Sequence, residues 1–319
     1  MNERPNRDKE ATLQLIIFCL NRPILCENLL RSIEKHVETL GETVTITVLY
    51  GATNEDYEEG FEILKERFRR LRVNYVRKTT GAYKTPYALL LHPRNAYYFS
   101  KYAYYRNTKQ IFNFKELLEQ IIAESKHDYV AFLTDDSFFR VPVAFDRRMF
   151  SLLRDSARQN SFSLRHGLNL ANLPESMRCL ETSISWDYSA RENDGHWSYR
   201  FSIDGHIYDR LFLLKFIKNI LYVNPNTFEG VVCRFAERKR VLRRGFGLRE
   251  SALVGVELNR VQNVSANQNL GIDNLMLNSY YRRGFHLSLA IEDRVTRFHP
   301  RIVHLGLANA TTGEQVTLA

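Results

Sequence analysis

The chain of 319 residues lacks any apolar run long enough to span a bilayer; the longest near its start, Leu13 to Leu20, is far too short. That stretch also lacks a small-residue cleavage site, and the reading is a non-secreted, cytoplasmic protein. Cysteine is sparse. Cys19, Cys26, Cys179 and Cys233 form no CxxC pair and have no histidine at a zinc-like interval, which excludes a disulfide framework and a zinc finger and reads as reduced, structural thiols. No low-complexity tract or internal repeat is present, so solenoids and disordered scaffolds are excluded. After the first apolar segment there is no glycine-rich loop of the kind that cradles phosphates. Acids are outnumbered, with 36 Asp and Glu against 45 Lys and Arg. The formal charge of +9 favours an anionic partner such as a nucleotide diphosphate, nucleic acid or acidic membrane face, without choosing among them.

What is present alternates. Leu13 to Cys19 reads as a buried strand, and Pro23 suits the first turn of a helix carrying Ile24, Leu25, Leu29, Leu30, Ile33 and Val37 at helical spacing. Thr43 to Tyr50 is a second strand, ending at Gly51-Ala52-Thr53-Asn54. A helix with Phe61, Leu64 and Phe68 and a short strand, Val73 to Val76, follow. This order predicts an α/β doubly wound sheet. Phe114 to Ser125 is an amphipathic helix, with Lys115 in its first turn where free N–H groups favour an anion.

That helix leads into Tyr129-Val130-Ala131-Phe132-Leu133, a run suited to a strand covered on both faces, which stops at Thr134-Asp135-Asp136-Ser137. Adjacent carboxylates resist burial and belong where a strand emerges at the carboxyl edge of a sheet, either as a plain exposed turn or as ligands of a divalent cation. A helix around Phe145 to Arg158 and a strand from Ser161 to Leu164 come next. Arg165 and His166 follow that strand, near where a diphosphate is expected to lie.

The second half reads less regularly. Leu168 to Ser198 is loop-like, with Trp186 and Trp197. Phe201 onward gives a strand or turn and then a helix. Asn224 to Gly230 punctuates the start of another helix, with Asn226 or Thr227 as the expected cap. Leu275 to Arg283 is helical again, and Ile302 to Leu305 is strand-like. The expected organisation is a flexible segment at 1–11, a nucleotide-binding half at 12–165 and an acceptor-side half at 166–319. Residues 81–110 interrupt the first half with seven tyrosines, five Lys or Arg and no acid. They read as a packed insertion, as a sugar- or membrane-facing surface, or as a base-stacking face. The basic set Arg234, Arg238, Lys239, Arg240, Arg243 and Arg244 reads as a solvated helix face or a contact with anionic lipid.

Taken together, these stretches resemble glycosyltransferases of the GT-A fold, closest to the inverting family 2 group. The resemblance is carried by the first strand running into Asn21-Arg22-Pro23, the second ending at Gly51 to Asn54, and the helix and strand delivering Asp135-Asp136. It implies a UDP- or GDP-sugar donor, Mn²⁺ or Mg²⁺, and a glycan or lipid-linked acceptor at the inner membrane face. It further implies donor contacts from Asn21, Arg22, Gly51, Asn54, Lys115, Asp135 and Arg165. Asp136, Asp135 and His299 are the implied metal ligands, although Thr134 stands where many members carry an acid. The general base falls on Glu229, with Asp273 as its rival and Asp204 as a third candidate or a sugar ligand. A sugar-phosphate nucleotidyltransferase would share the sheet but open with glycines that Leu20-Asn21-Arg22-Pro23 lacks. A basic nucleic-acid-binding module would suit the charge but leaves the paired acids unexplained, so no nucleic acid is expected.

Overall fold

A computed structural model describes residues 10–79, 113–190, 195–259 and 269–318. The Tyr-rich stretch and most of the Gln- and Asn-rich loop after Asn259 lie outside them. The strands are β1 (Leu13–Leu20), β2 (Val44–Gly51), β3 (Asn74–Arg77), β4 (Tyr129–Thr134), β5 (Ser137–Phe139), β6 (Asn160–Ser163), β7 (Arg178–Cys179), β8 (Ser183–Asp187), β9 (His206–Asp209), β10 (Arg244–Leu248), β11 (Leu253–Gly255), β12 (Phe285–Ile291), β13 (Ile302–Asn309) and β14 (Gln315–Thr317). The α-helices are α1 (Pro23–His36), α2 (Glu55–Arg67), α3 (Phe114–Glu124), α4 (Arg147–Arg154), α5 (Arg210–Ile217), α6 (Pro225–Lys239) and α7 (Asn274–Arg282).

Nine strands form one mixed sheet in the order β3-β2-β1-β4-β9-β6-β10-β8-β7. β1 to β4 run parallel. β9 is inserted antiparallel between β4 and β6, and β6 pairs parallel with β10. This is the expected doubly wound mixed sheet, covered on both faces. One face packs α1, α2 and α4 through Leu29, Ile33, Phe61, Leu64 and Phe150. The other packs α3, α5 and α6 through Phe114, Leu118, Leu213, Phe228 and Val232. Burial on both sides explains why β1 and β4 are continuous apolar runs and not alternating ones.

The second half is more regular than its sequence suggests. The loop-like stretch contains β7 and β8, with Trp186 buried on β8 against the backbone of Gly245, where any side chain would collide with the indole. α6 starts two residues earlier than expected. Asn224 is the cap, Pro225 occupies the first turn, and Thr227 closes a reciprocal capping box. α4 is shorter than the expected 145–158. β12 to β14 form a separate antiparallel sheet that, with α7, packs on α1 through Leu25, Leu277, Tyr281 and Leu305. Among the described residues no helix is long and apolar enough to cross a membrane.

Candidate functional site

The strand directions decide what gathers at the carboxyl edge. β1 delivers Asn21 and Arg22, β2 delivers Gly51, β3 delivers Lys78, β4 delivers Asp135 and Asp136, and β6 delivers Arg165. Because β9 runs the other way, Asp204, two residues before its start, reaches the same edge. Gly205 makes that turn at φ +76°, and its backbone bridges the ends of β4 and β6 through Phe132 and Leu164. Asn21, itself at φ 58°, ties β1 to β2: its carboxamide exchanges hydrogen bonds with Thr53 at 2.8 and 2.9 Å. Asn54 caps α2 by accepting from Tyr57 N at 3.0 Å.

The two aspartates have different fates. Asp135 is 1% exposed, and both its carboxylate oxygens accept from Arg22, one of them at 3.0 Å. Its expected role facing ribose or a cation is replaced by an internal ion pair, because burying Arg22 requires a fully engaged partner. Asp136 remains 28% exposed and accepts from Arg22 at 3.2 Å. Burial alone would raise its carboxyl, but Arg22 and the Thr134 hydroxyl hold it below the usual range, so it is charged at neutral pH. Arg22 also donates to Asn259 at 3.4 Å. Burial opposes its charge, and Asp135 and Asp136 more than restore it.

Arg165 is another buried arginine at this edge, at 4% exposure. It pairs with Asp204, donates to the Phe298 carbonyl at 2.7 Å and lies 3.4 Å from His299 Nε2. Its Nε is buried without a hydrogen-bond partner among the described residues. Burial lowers its pKa to about 10, against the opposing charges of Asp136, Glu229 and Glu257. Gly255 is glycine for this reason: a side chain there would meet His299 at 3.1 Å and Arg165 at 3.2 Å. Asp204 is further fixed by the Ser137 hydroxyl at 2.9 Å and that of Thr134 at 3.3 Å.

Glu229 lies in the second turn of α6, half-buried, and both of its hydrogen bonds end on Oε1, from Ser202 Oγ at 2.7 Å and Ile203 N at 3.0 Å. Burial raises its carboxyl above the usual range, against the pull of Ser202, Ile203 and Arg165. A carboxylate with one oxygen anchored, a raised proton affinity and a cation facing it suits proton abstraction from a hydroxyl.

Lys115 is not brought here, whereas the start of α7, with Asp273, adjoins the site through Asn274, which accepts from the Asn259 that Arg22 contacts. Lys115 is buried against the Tyr222 ring at 4.5 Å and paired with Glu119, on the α3–α5 face. Asp273 caps α7, accepting from Met276 N at 2.7 Å. His299 does reach the site; burial and Arg165 lower it to about 4, against a backbone hydrogen bond with Gly255, so its ring is neutral.

Two site residues escape sequence reading. Lys78, 5% exposed, donates to the Cys19 carbonyl at 3.2 Å and is lowered to about 8 by burial. Glu257 is brought beside Asp136 because β11 pairs with β5 and Val256 N donates to the Asp136 carbonyl at 2.8 Å. Burial and the Asp136 charge raise its carboxyl. The only sequence signal for either was a charge at the end of an apolar run.

No family model matches the sequence, and no curated protein matches it significantly. Among solved structures, the chain is similar to S. aureus TarS, at 15% identity over 76% of this chain and 36% of that one, with a TM-score of 0.42. The 1–349 fragment of TarS in complex with UDP matches at 15% identity over 76% of this chain and 59% of that one, with a TM-score of 0.43. The mannosyltransferase PcManGT from Pyrobaculum calidifontis, in complex with GDP-Man and Mn²⁺, matches at 12% identity over 52% and 38%, with a TM-score of 0.29. The chain thus spans between 36% and 59% of the lengths of these structures.

Proposed function

We propose that the chain is a glycosyltransferase that moves a sugar from a nucleotide-diphosphate donor to a hydroxyl of a glycan or lipid-linked acceptor, with inversion. The supporting observation is the juxtaposition, at one sheet edge, of a charged acid (Asp136), a buried arginine with unused hydrogen-bonding capacity (Arg165) and a carboxyl of raised proton affinity (Glu229). Glu229 takes the acceptor proton as the hydroxyl attacks the anomeric carbon from the face opposite the diphosphate. Arg165 stabilises the charge that grows on the leaving diphosphate. Asn21 and Gly51, at the ends of β1 and β2, flank the nucleotide, and Asp204 orients a sugar hydroxyl. Lys115 and Asp135 drop out of the donor site in this reading, and so does Arg22, whose fork is filled.

The donor set fits a divalent metal shared with the substrate. Among the described residues no group of three or more His, Cys, Asp or Glu forms a cage. Mg²⁺ and ions like it commonly take one or two protein ligands and complete their shell with phosphate oxygens and water. Asp136, held charged, and the neutral His299 are the residues that would hold it. When bound, the ion supplies charge neutralisation of the diphosphate. The cytoplasmic setting and peripheral contact with the inner membrane face belong to this proposal too.

The test is titration calorimetry with UDP and GDP, with and without Mn²⁺, on the wild type and Asp136→Ala. Tight binding of one nucleotide that weakens by an order of magnitude or more in the variant supports the reading, about 1.4 kcal/mol per factor of ten. Absence of nucleotide binding, with RNA binding that falls steeply with salt, would overturn it.

A further inference from the structure

Beyond Arg165, away from β1 and β4, the sheet edge carries a group of rings. His196 lies exposed in a short 3-10 turn, Gly195–Ser198, and packs against Phe298 with ring centroids 4.2 Å apart and planes tilted by 38°. Phe298 is half-buried in the loop between β12 and β13. Its backbone is locked: the carbonyl accepts from Arg165 at 2.7 Å and from Gly255 N at 3.2 Å. Behind it pack His166 at 4.8 Å and Trp197 at 6.3 Å, and Trp186 lies 5.1 Å from Trp197. The ring pair is therefore held rigidly by a buried aromatic wall, while polar groups (Arg165, Asp204 and His299) stand at its border.

Such a surface is amphipathic in the same way as a pyranose, which offers one face of C–H groups for dispersion contact and a rim of hydroxyls for hydrogen bonds. The sheet order places the pair past β6, whereas the strand ends assigned to the nucleotide belong to β1, β2 and β4. Arg165, at the end of β6, joins the two groups through its contacts with Asp204 and the Phe298 carbonyl.

We propose that His196 and Phe298 form a stacking platform for a pyranose ring of the acceptor, making the acceptor a glycan and not a simple polyol or an aglycone hydroxyl. This rests on the glycosyltransferase reading for the word acceptor, but the platform itself is testable without turnover. Both tryptophans of the chain sit in the wall behind the rings, so intrinsic fluorescence reports occupancy.

The experiment titrates the full chain with methyl β-glucopyranoside, methyl β-N-acetylglucosaminide and, as an open-chain control, sorbitol. A saturable change with a pyranoside and none with sorbitol is expected. The pyranoside affinity should fall about tenfold, about 1.4 kcal/mol, in His196→Ala and in Phe298→Leu, and be retained in His196→Phe. His196 is exposed, so its truncation leaves the core intact even if the Phe298 variant unfolds. Equal responses to sorbitol and pyranoside, no response to either, or an unchanged His196→Ala would overturn the proposal. Displacement of the pyranoside by a sugar nucleotide would put the donor's sugar on the rings and overturn the acceptor assignment. A wild type that binds pyranosides but no nucleotide would instead remove the glycosyltransferase reading and leave the platform standing.

Discussion

Arg22 and Arg165 both rise from the carboxyl edge and both are buried, yet they make opposite use of burial. Arg22 is nearly saturated: both oxygens of Asp135, one of Asp136 and the Asn259 carboxamide take four of its five N–H donors, and its charge is reinforced. Arg165 has a single paired carboxylate, an Nε without a partner among the described residues and a charge weakened by burial, which the charges of Asp136, Glu229 and Glu257 only partly offset. One arginine closes the structure, and the other is left with capacity that a ligand's oxygens would satisfy. The same contrast separates Asp135 from Asp136, neighbours in sequence with opposite exposure.

The sharpest way to break the comparison is to remove one partner on the closed side. Asp135→Ala strips buried Arg22 of its two-oxygen partner, leaving only the longer contact with Asp136, and is expected to cost about 3–5 kcal/mol of stability, read by urea denaturation. On the open side the expected loss is functional. Arg165→Lys removes the forked donor while keeping a charge, and turnover should fall by about 10²–10³ with a smaller stability change than Asp135→Ala shows. A result in which Arg165→Lys unfolds the protein and Asp135→Ala does not would reverse the assignment.

The pH response is a subtler measure. Glu229 has its proton affinity raised by burial, so its carboxylate is lost on acidification earlier than an ordinary glutamate's. Turnover should decline as pH falls through a midpoint above the usual carboxyl range. The stability sign is opposite: the folded state holds this proton more tightly than the unfolded one, so stability decreases as pH rises through the same window. Glu229→Gln should remove that decrease. The smallest effect is expected at Asp273, whose carboxylate caps α7. Asparagine caps a helix as well as aspartate does, so Asp273→Asn should shift stability by less than about 0.5 kcal/mol and leave turnover intact.

Much of the fold could be read because burial on both faces writes apolar runs into β1 and β4, and caps and prolines mark helix starts. The missed elements are short and polar: Ser183-Ile184-Ser185-Trp186 carries too few strand formers to stand out, yet β10 and β7 give it partners. The displaced cap of α6 reflects two asparagines flanking Pro225, and only the first has the extended backbone a cap needs. At the site, the sequence marks Asp135-Asp136 as a strand end but not which acid is taken by Arg22, 113 residues earlier. Glu257 is invisible in sequence for the same reason, since pairing between β5 and β11 alone brings it to Asp136.

The central claim is that Glu229, opposite Arg165, does the proton transfer of sugar addition. It is tested most directly by the turnover of a panel of sugar nucleotides by the wild type, Glu229→Gln and Asp273→Asn. The expected result is a loss of about 10²–10⁴ in turnover for Glu229→Gln with nucleotide affinity retained, and near wild-type turnover for Asp273→Asn. Full activity in Glu229→Gln alongside a dead Asp273→Asn would contradict it.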